Sequence, residues 1–243
     1  MAELQQIQSD AIIDLSRESF DGLGCSDYGI VVLQGADSWG AHESGNIVLP
    51  TSEGPFTVPI SYDEREAPFA TGMDGSKHPE LLLSLTDEGD YIACAWARVL
   101  PGSPLMGVGI DLNAFSHFRP RKSGRDVAKL LFTEHELELI PHVADDPLYA
   151  KAALFAAKEA AFKSCAWPLR AWYESHDDKL LFEVRHFCMT EPGVERGVAR
   201  NGAAQAAMDR MGIQRIEVHS TQLLDMALVV ALALRQERSA LAS

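Results

Sequence analysis

The chain has 243 residues, 47% apolar and 23% charged, with a formal net charge of −14. That length and mix suit one large domain or two small ones with an ample core, and no run of about eighteen apolar residues is present to cross a membrane as a helix. So negative a chain argues against general nucleic-acid binding, which needs a basic face.

The N-terminal MAELQQIQSDAIIDL carries acidic residues and no long apolar core, so it does not read as a secretory signal. Four cysteines, Cys25, Cys94, Cys165 and Cys188, are scattered without a CxxC pair. They argue against a disulfide framework or zinc site and point to a reducing cytoplasm. SDAIIDLSRESF is expected as an early helix, and YGIVVLQG, GNIVLP and FTVPISY read as strands. The segment EREAPFATGMDGSK, residues 64–77, reads as loop with at most one short helix. ELLLSLTDEGDYIACAWARVL and LMGVGIDL are strand signals separated by the turn PGSP.

FTEHELELI begins a short helix, with Thr133 as N-cap and Glu136 three residues on in a capping-box pattern. The long helix LYAKAALFAAKEAAFKSCA follows, capped by Asp145 or Asp146 with Pro147 in its first turn. KLLFEVRHFCM reads as a strand, and GVARNGAAQAAMDRMG contains a helix closed by Gly212. QRIEVHSTQLLDMALVVALAL ends the fold. LSLTDEGDYIACAWARV and IEVHSTQLLDMALVVALAL share a pattern of strand, polar turn, Asp and small-residue strand. Either this is a duplication or any two hairpins look alike. The expected class is α+β, with two similar α/β halves (1–105 and 106–243) related by a pseudo-twofold. Each would pack a small, mostly antiparallel sheet on a long helix, and one chain holding both halves is expected as a monomer.

Within the long helix, Leu148, Ala152, Phe155, Glu159, Phe162 and Ala166 recur at helical spacing. An ionised Glu159 on an apolar stripe is costly unless a cation or donors meet it. The strand GVGID ends in Asp111, which alone reads as the start of a turn. Taken with Glu159, it offers oxygen ligands to a hard divalent ion such as Mg²⁺. Lys158 and Lys163 flank Glu159. Lys163 is placed either for an i,i+4 salt bridge or, with Lys158, for phosphate. FRPRKSGRDVAK sets Arg119, Arg121, Lys122, Arg125 and Lys129 against a single Asp126: a solvated surface, or a docking site for an anionic partner.

GVGIDL, followed 48 positions after its Asp by the Glu of FAAKEAAFK, resembles the two signatures of the 4′-phosphopantetheinyl transferase superfamily. The motif wording is similar to the short holo-acyl-carrier-protein synthases, and the length to the larger surfactin-synthetase-type members. The resemblance implies transfer of the phosphopantetheine arm of coenzyme A to a serine of an apo acyl or peptidyl carrier protein, with release of adenosine 3′,5′-bisphosphate. It implies Mg²⁺ held by Asp111 and Glu159, with Asn113 at the place where many members carry a second acid. Lys158 and Lys163 would face the coenzyme phosphates, and Lys77, in GSKHPE, would meet the 3′-phosphate. Glu136 would act as general base toward the incoming serine, and Arg119, Arg121, Lys122 and Arg125 would face the carrier. Thr86 and Asp87 stand where many members carry a Ser-His pair, while His219 reads as a buried or turn-forming residue. Two alternatives remain: a descendant that binds a carrier or coenzyme A without transfer, and a chance match of motifs on a folded acidic protein.

Overall fold

The structure, a computed structural model, describes residues 5–35, 45–62, 68–71, 76, 78, 80–120, 126–176, 180, 183–189, 198–200 and 202–235. A short strand β1 (Gln5–Ile7) leads into helix α1 (Asp10–Phe20), whose Ile12, Leu15 and Phe20 are buried. Strand β2 (Cys25–Gln34) follows, then a small antiparallel sheet of β3 (Gly45–Thr51), β4 (Gly54–Tyr62) and β5 (Pro68–Ala70). β6 (Leu81–Glu88) and β7 (Tyr91–Val99) form a hairpin whose turn takes Gly89 to φ 56, in the left-handed region that glycine tolerates. β7 then pairs with β2, giving a sheet of order β1-β2-β7-β6.

The second half begins with β8 (Leu105–Ala114) and a 3₁₀ turn at Phe115–Phe118. Helices α2 (Ala128–Leu131), α3 (Glu134–Val143), α4 (Pro147–Ser164) and α5 (Ala166–Ser175) come next. A strand pair, β9 (Phe187–Met189) with β10 (Val198–Arg200), precedes α6 (Ala203–Met211). The hairpin β11 (Arg215–Leu223) and β12 (Met226–Leu234) returns the chain to β8, in the order β11-β12-β8. All nine residues of β12 are buried, as expected for a strand covered on both faces.

The two faces of this sheet have different neighbours. Ala227, Val229, Ala231 and Ala233 meet the α4 side, while Leu228, Val230 and Leu232 join Val108, Ile110 and Leu112 against α1, β2 and β7. A single apolar cluster therefore runs across the junction near residue 105. The β3–β5 sheet covers the other face of β7, around Cys94 and Trp96.

The architecture is mixed α/β with small antiparallel sheets. The capping box at Thr133 and Glu136, the Asp146 N-cap and the left-handed Gly212 C-cap all form as their local chemistry requires. Four expectations need correction. Among the described residues of KLLFEVRHFCM the strand is β9 alone, with a 3₁₀ turn at Val184–His186 before it. α5 was not anticipated. Among the described residues no long helix covers the first-half sheet; α1 is 11 residues, and β3–β5 covers the face of β7 around Cys94 and Trp96. Most of the segment 64–77 lies outside the described residues, but Pro68–Ala70 within it forms the short strand β5 where a loop or short helix was expected.

Candidate functional site

Glycine sets the position of the site. A Cβ on Gly107 would lie 2.0 Å from the Ser164 carbonyl oxygen, and one on Gly109 would lie 1.9 Å from that of Ala160. Only glycine lets α4 lie this close to β8. Strand alternation carries the same face onward to Asp111 and Asn113, so both side chains continue the row that meets the helix. Asp111 is buried at 4% exposure and Asn113 at 7%.

Asp111 Oδ1 accepts from Lys163 Nζ at 2.7 Å and from Thr86 Oγ1 at 3.0 Å. Lys163 Nζ also donates to Thr86 Oγ1 and to the Ile110 carbonyl, each at 3.2 Å. Lys163 thus pairs with Asp111 on β8, and not with Glu159 one turn back on its own helix. Burial raises the Asp111 carboxyl above its usual range, and Lys163 opposes the shift. Glu159 is half-buried. Burial raises its carboxyl too, the negative charge of Asp111 raises it further, and Lys163 lowers it. The strand aspartate and the helix glutamate therefore share one electrostatic environment, in which Lys163 acts on both.

The apolar stripe containing Glu159 is an edge of the helix. Phe155 and Leu148 are half-buried and Phe162 is exposed, with Ala152 alone of the apolar α4 stripe residues buried, whereas Ala150, Ala153, Leu154, Ala156, Ala157, Ala160 and Ala161 make up the rest of the buried apolar face. That placement lowers the cost of a carboxylate on the stripe without removing it, because Glu159 sits at the margin of the core and burial still raises its carboxyl.

Lys158 and Glu136 meet each other elsewhere. Lys158 Nζ lies 3.0 Å from Glu136 Oε2 and donates to the Leu131 carbonyl at 3.0 Å, with the two side chains 3% and 0% exposed. Glu136 Oε2 also accepts from the Thr133 amide at 2.9 Å and its hydroxyl at 3.2 Å. This pair locks α3 onto α4, and neither charge faces solvent. Arg119 is exposed; Arg121, Lys122, Arg125 and Lys77 lie outside the described residues. His219 is half-buried on β11.

Sequence reasoning missed Thr86. It was read with Asp87 as a departure from a Ser-His pair, yet Thr86 is buried against Asp111 while Asp87 is exposed on the opposite face of β6. The alternation of the strand separates them, and that signal was available in LSLTDE.

Among the described residues no three His, Cys, Asp or Glu side chains are placed to hold a metal. The candidate donors are two carboxylates and an amide. Asn113 Oδ1 is buried and accepts no hydrogen bond among the described residues. A buried, unpaired amide oxygen two residues along the same strand face from Asp111, near a second carboxylate, suits an oxygen-seeking cation such as Mg²⁺.

Residues 107–196 match the model of the 4′-phosphopantetheinyl transferase superfamily. It is the superfamily that GVGIDL and FAAKEAAFK resemble, and the matched span holds Asp111, Asn113, Glu136, Lys158, Glu159 and Lys163 but not Thr86. No curated protein matches the sequence. Among solved structures, the holo-[acyl-carrier-protein] synthase of Neisseria meningitidis is 21% identical, covering 54% of this chain and 99% of its own, with a TM-score of 0.42. The acyl carrier protein synthase of Mycobacterium tuberculosis is 24% identical, with coverage of 54% and 99% and a TM-score of 0.36. The Helicobacter pylori synthase in complex with coenzyme A is 18% identical, with coverage of 52% and 98% and a TM-score of 0.37.

Proposed function

We propose that the protein transfers the 4′-phosphopantetheine group of coenzyme A to a serine of an apo carrier protein. One observation carries the reading: two motifs 48 residues apart supply Asp111 and Lys163, whose charged atoms lie 2.7 Å apart, with Glu159 close enough to feel the Asp111 charge. The superfamily match over residues 107–196 supports it.

In this reading Asp111, Glu159 and Asn113 would hold Mg²⁺, which when bound would neutralise the diphosphate of the coenzyme. Lys163 turns its ammonium from Asp111 toward a phosphate oxygen and stabilises the charge that develops there. The serine hydroxyl forms a new O–P bond at the pantetheine-bearing phosphorus. The bond from that phosphorus to adenosine 3′,5′-bisphosphate breaks, and the leaving group takes the electron pair. Glu159 receives the serine proton, directly or through water, on a carboxylate oxygen not engaged by the cation. Glu136 and Lys158 are assigned to the fold, because each is buried and occupied by the other. The carrier would approach the basic segment that begins at Arg119, in a cytoplasmic, monomeric enzyme.

The pseudo-twofold belongs to the same proposal. The order β2-β7-β6 repeats as β8-β12-β11, with antiparallel pairing throughout. That repeat supports two similar halves, with α4 and the β3–β5 sheet inserted at corresponding places.

Incubation of the protein with Mg²⁺, coenzyme A and several apo carrier proteins tests the reading by mass spectrometry. A carrier heavier by one phosphopantetheine is the expected result. The uncharged Asn113 favours a second reading, a descendant that binds without transfer. Intact coenzyme A binding with no mass gain on any carrier would select it.

A further inference from the structure

Thr86 belongs to the first half of the chain, outside the span matched to the superfamily. β6 and β8 lie in different sheets and share no backbone ladder. Side chains join them instead, from three alternate residues on one face of β6. Ser84 Oγ accepts from the Ile110 amide at 3.2 Å, Thr86 Oγ1 donates to Asp111 Oδ1 at 3.0 Å, and Glu88 Oε2 accepts from the Ala114 amide at 3.4 Å. Ser84 and Glu88 bracket Thr86 and fix its height along β8.

The Thr86 hydroxyl has one proton to donate and gives it to Asp111, while its oxygen accepts from Lys163. Both side-chain bonds to the aspartate end on Oδ1, and the Leu112 backbone also hydrogen-bonds the carboxylate. Among the described residues no side-chain hydrogen bond reaches Oδ2. We propose that Thr86 is a positioning residue that orients Asp111 for a divalent cation, making the first half of the chain an obligatory contributor to that site. The inference rests on the proposed function and deepens it. A hydrogen bond to a metal-binding carboxylate fixes its orientation, and losing such a partner characteristically weakens metal binding by about 10–100-fold.

The test uses the full chain with Mn²⁺ as the probe, titrated by electron paramagnetic resonance without coenzyme A or carrier, alongside thermal melts. Thr86→Val keeps the shape and removes the donor; Thr86→Ser keeps the donor. T86V is expected to bind Mn²⁺ about 10–100-fold more weakly, with T86S within about threefold of wild type. Unchanged Mn²⁺ affinity in T86V overturns the inference whatever the melting temperature does, because a merely structural hydroxyl moves stability alone. Equal losses in T86V and T86S overturn it as well, since the hydroxyl is then not what matters. Should T86V not fold, Thr86→Ala is read by the same criterion. Wild-type protein that binds no Mn²⁺ refutes the metal site itself and the inference with it. Wild-type binding with an unaffected T86V refutes the inference alone.

Discussion

Replacing Lys158 by methionine separates a structural lysine from a phosphate-binding one. The substitution keeps most of the aliphatic stem and removes the ammonium, leaving Glu136 at 0% exposure without the cation 3.0 Å from its Oε2. The Thr133 amide and hydroxyl remain as donors to that oxygen, but they do not cancel its charge. Breaking one side of a buried pair costs about 3–5 kcal/mol. In a chain of this size each kcal/mol moves the melting temperature by about 2–4 °C, so K158M should melt about 6–20 °C lower. Removing both charges, as K158M with Glu136→Leu, should recover much of that loss, because no uncompensated ion stays buried. Differential scanning calorimetry of the two single variants and the double variant measures the cycle. A K158M protein that melts within about 2 °C of wild type, yet has lost coenzyme A affinity, would refute the assignment and return Lys158 to the phosphate role implied by the motif.

Asp111→Ala and Glu159→Ala should each lower carrier modification at least ~10²-fold with the circular dichroism spectrum retained; substantial turnover in either variant means the site is misplaced. The raised Glu159 carboxyl means that the folded state binds its proton more tightly than the unfolded state does. Its contribution to stability is thus fully present below the ordinary glutamate pKa of about 4.3 and is lost as pH rises through the folded-state value. Glu159→Gln should accordingly stabilise the metal-free protein at neutral pH and not in acid, as read from urea midpoints; an equal effect at both pH values would contradict the shift. Gly109→Ala places a methyl carbon 1.9 Å from the Ala160 carbonyl oxygen, which forces α4 away from β8. A loss of about 1–3 kcal/mol in chemical denaturation is expected, and an unaffected midpoint would show that the helix approach is loose.

Elements whose signals are local could be read from the sequence. The capping box of Thr133 and Glu136, Asp146 ahead of Pro147, and Gly212 beyond Met211 each need only neighbouring residues to form. The buried face of α4 could not be read in the same way. Ranking residues by bulk picks out Phe155 and Phe162, but a helix lying on Gly107 and Gly109 buries its smallest residues, and the aromatic rings go to the margin. The pairing of Lys158 with Glu136 was hidden for a related reason. Lys158 and Glu159 are adjacent in sequence yet on different faces, and only the packing of α3 decides which face is sealed. Thr86 depends on a seam between two sheets, which no strand pattern reports.

The charge count at that seam argues for a cation more strongly than any single contact. A pair built for stability needs only Asp111 and Lys163, which already satisfy each other at 2.7 Å. Glu159 adds a second carboxylate whose proton is held more tightly because of burial and, after it, the Asp111 charge. In a structural junction, glutamine or leucine at that position would remove the repulsion at little cost. The buried Asn113 Oδ1 adds an unmet acceptor from the same strand face. Among the described residues, one ammonium against two carboxylates, plus an amide oxygen lacking a donor, leaves the seam short by about one positive charge and one electrophilic partner. A divalent oxygen-binding ion supplies both at once, whereas a further lysine would supply the charge and still crowd the first. The motif residues are thus the ones that carry the imbalance, at the strand end where β8, β6 and α4 converge.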